Sequence, residues 1–136
     1  MRFRRLVGVA LAAYWIFLFA STHVRLPQDT LPRNTDKAAH FAAYALLAFL
    51  LGLWMSLRRP MTAGRYVLAF AIIAAYGILD ELTQIPVGRT ADVWDWAADC
   101  VGAVLGIGAL WLIGQGFRAT SLSGGKPGPA VEDRAS

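Results

Sequence analysis

Charge is what this sequence has little of. Only 16% of its residues are Asp, Glu, Lys or Arg, while 57% are hydrophobic and mean hydropathy is +0.47. A water-soluble domain carries about a quarter charged residues, so a soluble globular class fits poorly. Cysteine is nearly missing too. Cys100 stands alone, which rules out an intrachain disulfide and leaves the redox compartment unread; a small buried filler is its expected role. His23 and His40 are the only imidazoles. Internal repeats are absent, as are low-complexity runs within the apolar part. The net charge of +4 comes from basic residues placed as loop punctuation rather than gathered on one face. That is topology information for a membrane chain, not a nucleic-acid surface.

What is there is a series of apolar runs, each about long enough to span a bilayer at roughly 20 residues apiece. The first, 6–22, follows the basic cap Met1 to Arg5 and contains no charge. A signal peptide starts in a similar way, but the length of the run, Tyr14 and Trp15 within it, and the lack of a clean small-x-small site favour a retained span. Pro27 and Pro32 argue against a helix through the polar connection 23–37. The second span is predicted at 38–57, stopped by Arg58, Arg59 and Pro60. The third runs over 66–85, before the turn signal Pro86-Val87-Gly88-Arg89, and the fourth over 93–113. Residues 117–136, rich in Gly, Pro, Ser and charge, cannot build a core. The expected fold is therefore all-α: an integral membrane four-helix bundle over 1–116, with a disordered cytoplasmic C-terminal tail over 117–136.

Against this apolar background one stretch stands out, DELTQIPVGRTADVWDWAADCVGAVLG from Asp80 to Gly106. It holds Asp80, Glu81, Asp92, Asp95 and Asp99. A charge at the centre of a membrane helix costs about 2.5–3.5 kcal/mol on insertion scales, so such a cluster requires a reason. Spacing sorts it onto faces. Asp36, His40 and Tyr44 form one stripe, with Lys37 beside it; Asp80, Glu81 and Gln84 share a broad face. Asp92, Asp95 and Asp99 form a third stripe, which Gly102 and Gly106 continue with residues small enough for close helix contact. Gly102 and Gly106 are read as internal packing before dimerisation. Trp94 and Trp96 suit an interfacial aromatic belt.

With four spans, Arg2, Arg4, Arg5, Arg58, Arg59, Arg65, Arg118, Lys126 and Arg134 fall on one side, and Arg25, Arg33, Lys37 and Arg89 on the other. The richer side is expected to be cytoplasmic, placing both termini in the cytoplasm and the acidic cluster at the outer face of the membrane. There it can form one polar pocket opening outward. His40 with Asp80, Glu81 and Asp95 supplies candidates for acid–base catalysis, because an imidazole titrates near neutral pH and close carboxylates share protons. Asp36, Lys37, Tyr44, Gln84, Arg89 and Asp99 are candidate binding residues, with Lys37 or Arg89 suited to an anion. The same residues read equally as structural partners, with Asp80, Glu81 and Asp95 paired to Lys37 and Arg89. No cofactor is implied. A carboxylate-rich site with one His has donors that suit Mg²⁺ or Mn²⁺, but no ligand spacing requires a metal.

These residues also carry a resemblance. Asp36-Lys37-x-x-His40-Phe41-x-x-Tyr44 resembles the first motif of the VanZ-like family of small bacterial membrane proteins. Asp80-Glu81-x-x-Gln84, followed by Gly88-Arg89, Asp95, Gly102 and Gly106, resembles its second, and the likeness spans 6–114. Asp99 departs from the family pattern, which often has Asn there. The family takes its name from a protein linked to glycopeptide (teicoplanin) resistance, and the resemblance implies no reaction. Three function classes remain at this level. One is a protein that binds or acts on an envelope lipid or a lipid-linked head group. Another is an accessory protein whose polar cluster only holds the bundle together. The third is a proton-coupled or small-solute permease, disfavoured because the inner halves of all four spans are free of charge. Whether the chain is an enzyme, and its oligomeric state, stay open.

Overall fold

The computed structural model describes residues 2–23, 33–88 and 91–123. Among them are four long helices and no strand: α1 (Arg2–Thr22), α2 (Arg33–Ser56), α3 (Ala63–Gln84) and α4 (Val93–Ser123). All four are long and apolar enough to cross a membrane. Each turns large apolar side chains outward, among them Phe17, Val67, Leu82, Val101 and Leu112. In water such a surface would be a liability; against lipid chains it is the stable arrangement. The chain is a multi-pass membrane protein.

Helix α2 is the centre of the bundle. It packs against the other three, most extensively against α4, while α1 and α4 do not touch. The closeness of α2 and α4 comes from glycine. A Cβ added at Gly102 would run into the carbonyl of Phe41, and one at Gly106 into that of Ala45. The two backbones therefore meet without side chains between them, as the small-residue stripe predicts. Tyr44, Leu47, Ala48 and Leu51 of α2 form the buried middle, with Leu11 and Leu18 of α1, Ala69 and Ile73 of α3, and Ala103 of α4.

Local chemistry sets the element ends. Arg65 at the start of α3 donates to the carbonyls of Met55 (2.9 Å), Arg59 (2.6 Å) and Pro60 (3.2 Å), tying off the end of α2. At the opposite end, α3 runs into a single 3-10 turn, Ile85–Val87. Gly88 then takes the left-handed conformation (φ 79°) and returns its N–H to the Ile85 carbonyl. Only glycine adopts that conformation without a steric cost. Asp92 starts α4, its Oδ1 accepting from the Trp94 N–H at 2.8 Å, an N-cap bond.

The helices exceed their expected bounds in four places, the first being α1, which begins at Arg2 rather than 6. Helix α2 begins at Arg33 rather than 38, immediately after Pro32 in sequence, where a proline no longer interrupts the backbone ladder. Helix α3 begins at Ala63 rather than 66. Helix α4 continues to Ser123 rather than stopping at 113, so residues 117–123 of the expected tail are helical. No proline lies in that extension, and Thr120 Oγ1 bonds back to the carbonyls of Gly116 and Phe117. The rest of the expected tail, 124–136, lies outside the described residues. Trp96 and Trp94 differ in direction. The Trp96 indole N–H donates inward to the Ala74 carbonyl at 3.0 Å, whereas Trp94 is exposed. Cys100 is only partly buried.

Candidate functional site

Three of the helices deliver their polar residues to one end of the bundle, and α1 joins them there. The stripe on α2 places His40 and Tyr44 inward, 6% and 0% exposed. The last turns of α3 bury Asp80, Glu81 and Gln84, and the first turns of α4 bury Asp95 and Asp99. Asp99 lies about 9 Å along the axis from the start of α4, at 1.5 Å per residue. Gly77 leaves room for it: a Cβ there would stand 3.3 Å from Asp99 Oδ2 and 3.0 Å from the Trp96 ring.

Asp80 is the most fully solvated of these acids by the protein itself. Its Oδ1 accepts from Thr22 Oγ1 of α1 at 2.9 Å, and its Oδ2 from Tyr44 OH at 3.3 Å and Gln84 Nε2 at 3.2 Å. These are three neutral donors from three helices. His23 lies just beyond α1, with Nδ1 3.9 Å from Asp80 Oδ1 and 2.7 Å from the Phe19 carbonyl. A carbonyl only accepts, so Nδ1 carries a proton. Its Nε2 is 3.1 Å from Thr83 Oγ1.

Lys37 forms the second group. Its Nζ lies 3.1 Å from Asp92 Oδ2 and 2.7 Å from Asp95 Oδ1. The Lys37 and Asp92 side chains are both 42% exposed, so this pair marks the open rim of the cluster while Asp95 marks its wall. The Trp94 backbone N–H, and after it the Lys37 ammonium, hold the Asp92 carboxyl below the usual carboxylate range.

The third group is the deepest. His40 Nδ1 sits 3.1 Å from Asp99 Oδ1. Glu81 Oε2 accepts the backbone N–H of Asp92 at 2.8 Å, linking α3 to the start of α4. His40, Glu81 and Asp99 are all buried, and one ligand-capable atom of each lies within 4.8 Å of the others. Tyr76, stacked near Tyr44 with ring centroids 5.9 Å apart, has a buried hydroxyl with no partner among the described residues.

The chain belongs to the VanZ/LLP1 family. The family model matches residues 6–114, which takes in α2 and α3, most of α1 and α4, and every polar residue just described. No curated protein and no solved structure matches the chain.

Within this family member, the contacts group the expected residues around three centres at one end of the bundle, two of them joined where Glu81 accepts from the Asp92 backbone. Asp80, Tyr44 and Gln84 belong to one set, Lys37 and Asp95 to another, and His40, Glu81 and Asp99 to the third. Arg89 and the Asp36 side chain lie outside the described residues. Among the described residues Asp80 accepts from Thr22, Tyr44 and Gln84, and Lys37 takes Asp95 together with Asp92. Thr22 and His23 were the residues sequence reading missed. A signal for them existed: four alternating spans bring the end of the first to the same membrane face as Asp80. A groove of about 630 Å³, lined by Arg4, Arg5, Trp54 and Arg58, opens at the other end of the bundle. There the Arg58 guanidinium lies 3.8 Å from the centre of the Trp54 ring, a pairing common for an arginine beside a membrane-interface aromatic.

Proposed function

We propose that this protein sits in the bacterial inner membrane with both termini cytoplasmic, and that its outward polar end binds or acts on an envelope lipid or a lipid-linked head group. The observation that carries this reading is the gathering of Thr22, His40, Asp80, Glu81, Asp95 and Asp99 from four helices at one end of an otherwise apolar bundle. The excess of Arg and Lys at the other end supports the orientation. Among the described residues Lys37 is the cation at the rim, its side chain 42% exposed, available to an anionic group that displaces Asp92. Behind it, His40 with Glu81 or Asp80 offers an acid–base pair for proton transfer.

A second reading is favoured by one observation. Asp80 is so fully provided with neutral donors that it needs no ligand, which suits an accessory protein whose cluster holds the bundle together. Native mass spectrometry of the detergent-released protein separates the two. Retention of anionic lipid that falls in Lys37→Ala supports the head-group reading. Equal lipid retention in both proteins favours the accessory one.

A further inference from the structure

The carboxylates at the polar end are unequally satisfied. Asp80 has three donors, and Asp92 and Asp95 share Lys37. Asp99 has His40 on Oδ1, but its Oδ2 is fully buried with no hydrogen-bond partner among the described residues. A buried carboxylate oxygen left this way is costly, more so in a bundle surrounded by lipid. The same carboxylate joins His40 and Glu81 in the one trio of His, Cys, Asp or Glu side chains among the described residues whose ligand atoms lie mutually close, within 4.8 Å.

We propose that His40, Glu81 and Asp99 form the binding site of a divalent first-row transition cation, with Mn²⁺ and Zn²⁺ the best matches. The three residues come from α2, α3 and α4 and are 6%, 6% and 1% exposed, so the ligands are presented by rigid elements away from bulk water. Metal–ligand bonds of about 2.0–2.2 Å require the three donor atoms to lie somewhat closer than the 4.8 Å that bounds their separation here. The donor set chooses the metal class. Mg²⁺ prefers oxygen ligands throughout, whereas an imidazole beside two carboxylates suits Mn²⁺ or Zn²⁺. Asp99 is essential to this reading, because an amide at that position would bring no charge. The proposal rests on reading the polar end as a head-group site, with His40 and Glu81 serving there as ligands in place of the acid–base role, and it removes a difficulty there. Among the described side chains, five carboxylates face one ammonium, a field that repels an anionic head group. A bound dication reverses that local balance and gives the anion a second point of attachment beyond Lys37.

The test uses the full chain purified in detergent, stripped with chelator and dialysed. Titration with Mn²⁺ or Zn²⁺ is expected to give one ion per chain, and pulsed electron paramagnetic resonance of the Mn²⁺ form to show hyperfine coupling to an imidazole nitrogen. His40→Gln, Glu81→Gln and Asp99→Asn are each expected to weaken binding at least about tenfold, while Arg58→Gln at the far end leaves it unchanged. The nitrogen coupling is read on the unaltered protein, so a variant that fails to fold does not remove the test. Absence of stoichiometric binding, absence of nitrogen coupling, or full affinity retained in all three variants overturns the site. Lipid retention measured on the same samples keeps the two ideas apart: metal bound without lipid defeats the head-group reading alone, and lipid bound without metal defeats this site alone.

Discussion

At the scale of single residues, each buried acid depends on identifiable partners. Thr22 is the clearest case. It lies at the end of an apolar helix and reaches Asp80 across 58 positions of sequence. Thr22→Val removes a buried donor from a carboxylate and is expected to destabilise the bundle by about 1–3 kcal/mol. Thr120→Val removes an exposed bond back to its own helix and is expected to change stability by less than about 0.5 kcal/mol. Thermal unfolding in detergent followed by circular dichroism compares them; equal losses would deny Thr22 its role. Asp92 yields a prediction about pH. Its folded-state pKa is depressed by the Trp94 N–H and Lys37, so its stabilising contribution is present above the ordinary carboxylate range and lost as pH falls through the folded value. Wild type is expected to be more stable than Asp92→Asn at neutral pH and to lose that lead in acid. A lead that persists in acid would show that the ionised carboxylate is not its source. The sequence put His40 and Tyr44 on one stripe and Asp95 and Asp99 on another, because a 3.6-residue period fixes which residues share a stripe, and these residues are buried. It did not reveal which acid meets which donor. Axial register between helices is set by backbone packing, and a shift of one turn exchanges every partner.

At the scale of elements, the α2–α4 contact carries the architecture. Gly106 lies so close to Ala45 that even a methyl group must displace backbone. Gly106→Ala is expected to cost about 1–3 kcal/mol through overpacking. Gly108→Ala, whose added Cβ meets nothing within 4 Å, is expected to be neutral or to gain up to about 1 kcal/mol from helix propensity. The two unfolding midpoints measured side by side check this, and a Gly106→Ala protein as stable as wild type would mean that the helices are farther apart. The existence of this interface was legible from Asp95, Asp99, Gly102 and Gly106 falling on one stripe. The ends of the elements were less so. Helix α4 persists through Gly114 and Gly116 to Ser123, because two isolated glycines weaken a helix without ending it.

At the scale of the whole molecule, the proposed orientation, drawn from the asymmetry of Arg and Lys across four spans, puts the polar end outside and both termini in the cytoplasm. A fluorescent protein fused after Ser123 is expected to be bright, and alkaline phosphatase fused there to be inactive; the opposite pair of results would invert the orientation and with it the proposed ligand. The fold class was readable from composition and run length, since a bilayer dictates both. The ligand was not, because a membrane bundle and a binding site demand the same thing of a buried acid, namely a nearby donor. Function therefore has to be measured at the cluster itself. The most direct measurement replaces His40 by Gln, Asp80 by Asn and Glu81 by Gln, one at a time, and scores envelope phenotype at matched protein level in the membrane. The account predicts loss of phenotype in His40→Gln and Glu81→Gln with the protein still present. Wild-type behaviour in all three variants would contradict it and leave the cluster as packing.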